Sequence, residues 1–185
     1  MEDIVYEELT HHFEGAFGAL RRDLARLRSG QANVNLLDNI RVTYYGVPTP
    51  LNQMAAVQVP EPRMITIKPF DATQIKEIER AILQSDLGLN PNNDGKLIRL
   101  SIPPLTEERR KTLVRQAKEH GENAKVAARN SRRDAISTLK KFEADKELSQ
   151  DQLHRAMDHV QKLTDEATNK IDEIVRVKEA ELMEV

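Results

Sequence analysis

The 40 residues from Thr106 to Asp145 (TEERRKTLVRQAKEHGENAKVAARNSRRDAISTLKKFEAD) decide how this chain folds. The stretch contains no proline, which would interrupt a helix by removing a backbone donor. Thr106 is followed by two glutamates, an arrangement typical of a helix N-terminus because hydroxyl and carboxylate groups complement the exposed N–H groups. Small and apolar residues line one face of this predicted helix: Leu113, Ala117, Gly121, Ala124, Ala128, Ala135, Leu139 and Phe142. The stretch therefore predicts one long helix that a neighbouring helix can approach closely.

A further helix follows towards the C-terminus. Ser149 and Gln152 form a capping box, with serine at the N-cap and glutamine three residues later. The helix after this box has an apolar stripe of Leu153, Val160, Leu163, Ala167, Ile171, Ile174 and Val177. Its other faces carry acid-to-base pairs four residues apart, which support a helix: Asp151–Arg155, Asp158–Lys162, Glu166–Lys170 and Asp172–Arg176.

The N-terminal segment supplies one more helix. Its apolar residues recur at spacings of four and three, and the pattern stops at Ser29-Gly30, a helix-stop signal: Phe13, Phe17, Leu20, Leu24 and Leu27. Each of the three predicted helices has a single apolar stripe, so each must pack against the others. We expect a long antiparallel three-helix bundle formed by residues 1–30 and 106–185.

All eight prolines of the chain lie between Pro48 and Pro104, inside the segment that separates the first helix from the second. This segment, residues 31–105, alternates short β-branched runs with turn signals. Strands are predicted at 40–45, 57–59, 64–68 and 97–102, with a helix over 71–85 and turns at 46–50 and 90–95. The sequence thus predicts an α+β fold in which a small α/β domain is inserted into the bundle through two crossing segments.

The composition excludes several classes of protein. The chain has 185 residues, no cysteine and a net charge of −2, so disulfides, a thiolate nucleophile and a cysteine-based zinc site are excluded. No apolar run approaches the roughly 20 residues that a membrane-spanning helix needs. The segment Met1–Ile4 is acidic and does not resemble a targeting signal, which favours a cytoplasmic protein without membrane association.

The net charge conceals an uneven distribution. Residues 106–148 contain 12 basic and 8 acidic residues, an excess of +4, whereas residues 149–185 contain 5 and 9, an excess of −4. Eight basic residues of the second helix fall within an arc of roughly 100°: Lys111, Arg115, Lys118, Lys125, Arg129, Arg132, Arg133 and Lys140. A long arginine-rich stripe of this kind is typical of a surface that binds a phosphate backbone. The alternative is a merely solvated face, or one that pairs with the acidic third helix.

No constellation typical of an enzyme is present in the sequence. The carboxylates are scattered or paired with bases, and no glycine-rich phosphate loop occurs. We therefore expect no catalytic residue, no metal site and no cofactor. Two alternatives to an RNA-binding factor remain: an adaptor whose small domain binds protein partners, and a hydrolase that uses a carboxylate pair.

Five longer motifs occur in a fixed order along the chain: 44–46 with 48–51 (YYG, PTPL), 85–91 (SDLGLNP), 103–111 (PPLTEERRK), 129–135 (RNSRRDA) and 160–165 (VQKLTD). In these motifs the sequence resembles the bacterial ribosome recycling factors over nearly its whole length. The resemblance implies an L-shaped arrangement of bundle and small domain. It also implies a monomer that binds the post-termination ribosome and, with elongation factor G and GTP hydrolysis, separates the subunits. The bundle would lie on large-subunit rRNA, and the small domain would swing to meet the elongation factor.

The resemblance, taken with the basic stripe, gives candidate site residues. The predicted RNA-binding residues are Arg28, Arg110, Lys118, Lys125, Arg129, Arg132 and Arg133. The predicted hinge residues are Ser29, Gly30, Pro104, Leu105 and Thr106. The sequence departs from the family at Gln31 and Val34, where arginine and proline are common. This departure implies one fewer phosphate contact near the hinge and a less rigid linker.

Overall fold

The computed structural model describes residues 1–27 and 30–184 of the chain. Helices and strands follow one another in the order α1 (Glu2–Ala25), β1 (Arg41–Tyr44), β2 (Val47–Pro50), α2 (Leu51–Met54), β3 (Ala55–Glu61), β4 (Met64–Pro69), α3 (Ile75–Leu83), β5 (Pro91–Asn93), β6 (Ile98–Ser101), α4 (Glu107–Ala144) and α5 (Gln150–Met183). The chain divides into two compact units, Met1–Ser29 with Glu107–Val185, and Gly30–Thr106. The predicted combination of long helices with a small sheet domain is confirmed.

The helical unit consists of α1, α4 and α5. Helix α1 buries Val5, Leu9, Phe13, Phe17, Leu20 and Leu24 on one face, which confirms the predicted stripe from Phe13 to Leu24. Leu27, its last predicted member, lies beyond the helix and is half-buried. It ends at Ala25, earlier than the predicted stop at 29–30. The amides of Arg26 and Leu27 bond to carbonyls three residues back, so the last turn tightens before the chain leaves the helix.

Helices α4 and α5 pack through small residues. The Gly121 side of α4 lies so close to α5 that a Cβ atom built on it would be 2.7 Å from Val175 Cγ2. The capping box at Ser149 is present, with the Ser149 hydroxyl accepting from the Gln152 amide and the Gln152 side chain accepting from the Ser149 amide. The long α4 therefore turns into α5 through a well-capped connection.

The predicted stripe of α5 is wrong at its C-terminal end. Val177 is 57% exposed, and the buried positions near it are instead Val175 and Leu182. Because two residues correspond to about 200° around a helix, a side chain two positions from buried Val175 points away from the core. The buried set of α5 also includes one polar residue, Thr164, whose hydroxyl donates to the Val160 carbonyl.

The small unit contains a four-stranded antiparallel sheet with strand order β3-β4-β6-β5. Alternate residues of β4 and β6 point into its core, where α3 contributes isoleucines three and four residues apart; the buried set includes Ile65, Ile67, Ile75, Ile78, Ile82, Ile98 and Leu100. The period-two and helical patterns of the sequence are both satisfied by this one core.

Two predicted turns in this unit are strands. The sequence predicts that Gly46 and the prolines of residues 48–50 end the first strand, but β2 continues there and pairs with β1, with Thr43 opposite Pro48. The connecting residues Tyr45 and Gly46 have φ angles of 48° and 81°, as a two-residue hairpin requires. Proline is tolerated because a two-stranded sheet leaves one side of each strand without a ladder partner.

The second correction concerns the predicted turn over residues 90–95. Pro91–Asn93 form β5, which pairs with β6. The turn is confined to the residues that follow, where the Asp94 side chain accepts from the amides of Lys96 and Leu97. A three-residue strand is too short to show an alternating pattern, so pairing with β6 overrides the turn composition. Within residues 1–27 and 30–184, no helix is both long and apolar enough to cross a membrane.

Candidate nucleic-acid interface

The basic stripe of the second predicted helix lies on α4. Of its eight residues, six are exposed and two are half-buried; the exposed ones are Lys111, Arg115, Lys118, Arg129, Arg133 and Lys140. We call these eight residues, Lys125 and Arg132 included, the basic face. Because α4 is continuous from Glu107 to Ala144, one rigid element holds all eight.

Arg129 and Arg133 are two exposed arginines of the basic face. They are four residues apart on α4, and both are exposed. Within residues 1–27 and 30–184 neither side chain has a hydrogen bond or an ion pair. Two unneutralised guanidinium groups are therefore presented together on the helix surface, which is a suitable arrangement for bidentate contacts to phosphate oxygens.

Arg132 differs from these two because its side chain is half-buried and is held by a hydrogen bond to α5. Its Nη1 atom donates to Oε1 of Gln161 on α5, over 2.8 Å. The Nε2 atom of Gln161 donates in turn to Oδ1 of Asp165, also over 2.8 Å. The Nε atom of Arg132 is buried and has no partner among the described residues. The guanidinium is thus fixed by an amide and retains its full positive charge.

Arg110 has a similar feature in the first turn of α4. Its Nε atom is also buried without a hydrogen-bond partner in the described part of the chain, and its side chain is half-buried. Arg110 lies about 80° around the helix from Lys118 and therefore outside the arc of the basic face. Its role in RNA binding stays a prediction.

Lys125, another member of the basic face, forms ion pairs with two carboxylates. Its Nζ atom lies 2.6 Å from Asp172 of α5 and 3.6 Å from Glu122, and its side chain is 20% exposed. The hydrogen bond to Asp172 raises the pKa of Lys125, and the charges of Asp172 and Glu122 act in the same direction. The pairing of basic and acidic helices that the sequence left open as an alternative therefore occurs at this position.

The ion pairs predicted along α5 differ from those in the structure. Asp172 contacts Lys125, and Arg176 bonds instead to Glu173, through two hydrogen bonds of 3.0 and 2.6 Å. Lys170 lies 3.4 Å from Glu14 of α1 and over the Phe17 ring. The contacts of Asp172 and Lys170 depend on the register between helices, so sequence spacing within α5 cannot reveal them.

The predicted hinge residues Gly30 and Leu105 lie against each other. Gly30 has a φ angle of +75°, and a Cβ atom built on it would be 2.9 Å from Leu105 Cγ. Pro104 and Thr106 are exposed. Arg28 and Ser29, which the sequence assigns to RNA binding and to the hinge, lie outside the described residues. The contact requires glycine at position 30, both for its backbone conformation and for space.

Gln161 contacts Arg132 of the basic face, and Asp165 contacts Gln161, but neither is among the residues that the sequence predicts to bind RNA. Both lie in the motif of residues 160–165, which the resemblance includes without assigning it a role. Only the packing of α5 against α4 shows that Gln161 reaches Arg132. Among the described residues, no group of three or more His, Cys, Asp or Glu is placed to hold a metal ion.

The chain is similar to known proteins in its family, its sequence and its structure. The model of the family described as "Ribosome recycling factor" matches residues 20–183. The ribosome-recycling factor of Nitratidesulfovibrio vulgaris (strain DP4) is 54% identical over 185 residues, with 100% of this chain and 99% of that protein covered.

Two solved structures are similar to the whole chain. A solution structure of the ribosome recycling factor is 36% identical, with a TM-score of 0.70 and coverage of 100% of this chain and 98% of that chain. The second is the T. thermophilus ribosome recycling factor, from a structure with E. coli elongation factor G bound to the E. coli post-termination complex. It is 43% identical, with a TM-score of 0.60 and full coverage of both chains.

Proposed function

Because this chain belongs to the ribosome recycling factor family, we propose that it binds the post-termination ribosome and, with elongation factor G and GTP hydrolysis, separates the subunits. The observation that carries the proposal is the 54% identity over the full length of a named relative. The protein is not an enzyme. The energy for separation comes from the partner GTPase, and the factor transmits force. We place this activity in the cytoplasm, where bacterial ribosomes work.

The basic face is the proposed anchor to ribosomal RNA. Arg129, Arg132 and Arg133 supply guanidinium groups to phosphate oxygens through charge-assisted hydrogen bonds. In this proposal, Lys118, Arg28 and Arg110 add positive charge along the same helical bundle. Contacts to phosphate do not distinguish one base sequence from another, so recognition depends on the shape of the folded RNA. A continuous α-helix of 38 residues, roughly 57 Å long, fits this role because it keeps the spacing of its charges fixed.

We propose a smaller role in RNA binding for Lys125. Two carboxylates already neutralise it, so transfer to a phosphate would cost the ion pairs that it makes with Asp172 and Glu122. Its main contribution is then to the pairing of α4 with α5. This distinction separates Lys125 from Lys118, which is exposed and has no ion pair within the described part of the chain.

The second proposed element is a hinge between residues 1–30 with 106–185 and the inserted residues 31–105. Ser29, Gly30, Pro104, Leu105 and Thr106 form the two crossing segments. The positive φ angle of Gly30 and its contact with Leu105 support this role, because such a site is sensitive to any added side chain. The anchor holds the bundle on the large subunit, and a push from elongation factor G moves the inserted domain.

A subunit-separation assay tests this function directly. Post-termination ribosomes are mixed with the protein, elongation factor G and GTP, and light scattering follows the separation. We expect separation only when all three are present, and none when a non-hydrolysable GTP analogue replaces GTP. Separation that does not depend on the protein, or binding to ribosomes that salt does not weaken, would exclude the proposal in favour of an adaptor function.

A further inference from the structure

A hydrogen-bond relay runs from α5 to the basic face. Gln161 accepts from Arg132 Nη1 over 2.8 Å and donates to Asp165 Oδ1 over 2.8 Å. The two bonds determine which way the Gln161 amide points. Its NH2 group must face the Asp165 carboxylate, which only accepts, and its oxygen must face the guanidinium, which only donates.

The relay holds Arg132 without neutralising it. A carboxylate in the place of Gln161 would form an ion pair and compete with an incoming phosphate. The amide oxygen fixes the same atom but leaves the positive charge uncompensated. The negative charge of the relay is one hydrogen bond further from Arg132, on Asp165, whose carboxylate accepts from the Gln161 amide nitrogen.

The rest of the guanidinium is arranged to face outwards. Nε is buried, and Nη1 bonds to Gln161 on the exposed side of α5, so both nitrogens face the neighbouring helix. Within residues 1–27 and 30–184, Nη2 has no hydrogen-bond partner. Around α4, Arg132 lies about 60° from Arg129 and about 100° from Arg133, so its free Nη2 lies at the edge of the basic face, nearest to Arg129.

We propose that Gln161, supported by Asp165, is a positioning residue that pre-orients Arg132 for a phosphate oxygen of ribosomal RNA. The inference rests on the proposed function and deepens it. A long arginine side chain loses rotamer freedom when it binds, and this loss weakens binding. Because the relay already orders the Arg132 side chain in the folded protein, little rotamer freedom remains to be lost when RNA binds. Gln161 thus promotes RNA binding without touching RNA, and Arg129 and Arg133, which lack such support, depend on it less.

The first test uses the protein alone. Gln161→Met keeps the length of the side chain and removes its hydrogen-bonding groups. In 15N NMR spectra, rotation of the Arg132 guanidinium about its Nε–Cζ bond should be slow in the natural protein and faster in the variant. The same rotation in Arg133 is the internal control and should not change. Equal rotation rates for Arg132 in the two proteins would overturn the relay itself, whatever the ribosome does.

The second test is a double-mutant cycle on large ribosomal subunits. Arg132→Ala should weaken binding by about tenfold or more and reduce the slope of log K against log salt by about 1. Gln161→Met should weaken binding by about two- to tenfold, the cost of ordering one long side chain, and leave the slope unchanged because no charge is lost. In the Arg132→Ala background, Gln161→Met should have no further effect.

The outcomes separate the inference from the function on which it rests. If Arg132→Ala weakens binding but Gln161→Met does not, Gln161 has no positioning role and the RNA anchor stands. If Gln161→Met weakens binding equally in both backgrounds, it acts through the fold, and the inference is wrong. If Arg132→Ala has no effect, Arg132 is not part of the anchor. Gln161→Glu is a further variant for this test. Its carboxylate would form an ion pair with Arg132, so it should reduce both the affinity for the large subunit and the slope of log K against log salt.

Discussion

Single residues of this protein matter mainly where the backbone or a charge is in an uncommon state. Gly30 has a φ angle of +75° and almost touches Leu105, whereas Gly15, on the exposed face of α1, has nothing within 4 Å of its added Cβ. Position 30 therefore requires glycine, whereas position 15 does not. At position 30 a side chain is strained by both conformation and space, and at position 15 neither limit applies.

Gly30→Ala should destabilise the protein by at least about 1–2 kcal/mol, the cost of a left-handed conformation for an L-residue. In a Leu105→Ala background the steric part is removed, so the cost should fall but not disappear. Gly15→Ala is the control and should stabilise the protein by up to about 1 kcal/mol. Urea denaturation measures all four variants. An equal cost of Gly30→Ala in both backgrounds would contradict the contact with Leu105.

Asp94 gives a pH prediction at the same scale. The amides of Leu97 and Lys96 and the Arg99 side chain donate to its carboxylate and lower its pKa from 3.8 to about 2. Because the folded-state pKa is lowered, the turn gains stability above pH 3.8 and loses it as the pH falls towards 2. Arg99→Ala should raise the pKa of Asp94 only part of the way back to 3.8, since the two amides still donate to the carboxylate. An NMR titration of the variant measures this pKa. A full return to 3.8 would show that Arg99 is the main cause.

At the scale of elements, the helix pairing depends on one close approach. Gly121 of α4 is in the middle of a helix, where glycine costs about 1 kcal/mol relative to alanine. The structure explains why glycine is present despite this cost, because a Cβ atom at this position would be 2.7 Å from Val175 Cγ2. Val175 is β-branched, so its side chain has few rotamers with which to move aside.

Gly121→Ala should therefore destabilise the natural protein by about 1 kcal/mol. Overpacking against Val175 costs about 1–3 kcal/mol, which exceeds the gain of about 1 kcal/mol in helix propensity. In a Val175→Ala background the sign should reverse, since the new methyl group enters the space that the valine leaves. Thermal denaturation of the two single variants and the double variant checks this. A stabilising Gly121→Ala in the natural protein would refute the account of close packing.

The elements also show what the sequence could and could not predict. The stripes of α1 and α4 follow from periodicity alone, because each helix buries a single face. The β1–β2 hairpin was missed because prolines usually end strands, and the ladder that tolerates Pro48 is visible only in the pairing. Asp172, which contacts Lys125, and Gln161, which contacts Arg132, lie on another helix, 47 and 29 positions away along the chain, so no local pattern could have indicated them.

For the whole molecule, the distribution of charge is the feature that connects fold to function. A net charge of −2 is no obstacle to RNA binding, because the basic residues are gathered on α4 and the acids on α5. The structure adds that the acidic helix neutralises Lys125 but holds Arg132 through an amide. Recognition of the family came from motifs, and the residues predicted to bind RNA or form the hinge remain predictions.

The most direct measurement of the central claim is the salt dependence of binding to large ribosomal subunits. It compares the natural protein with Arg129→Ala/Arg133→Ala and with Lys141→Ala, a control that removes an exposed charge about 80° beyond the edge of the basic face on the same helix. We predict that the double variant binds at least about tenfold more weakly and that its slope of log K against log salt is smaller by about 2, with the control close to the natural protein. Identical slopes for all three proteins would contradict the claim that the basic face of α4 anchors this factor to ribosomal RNA.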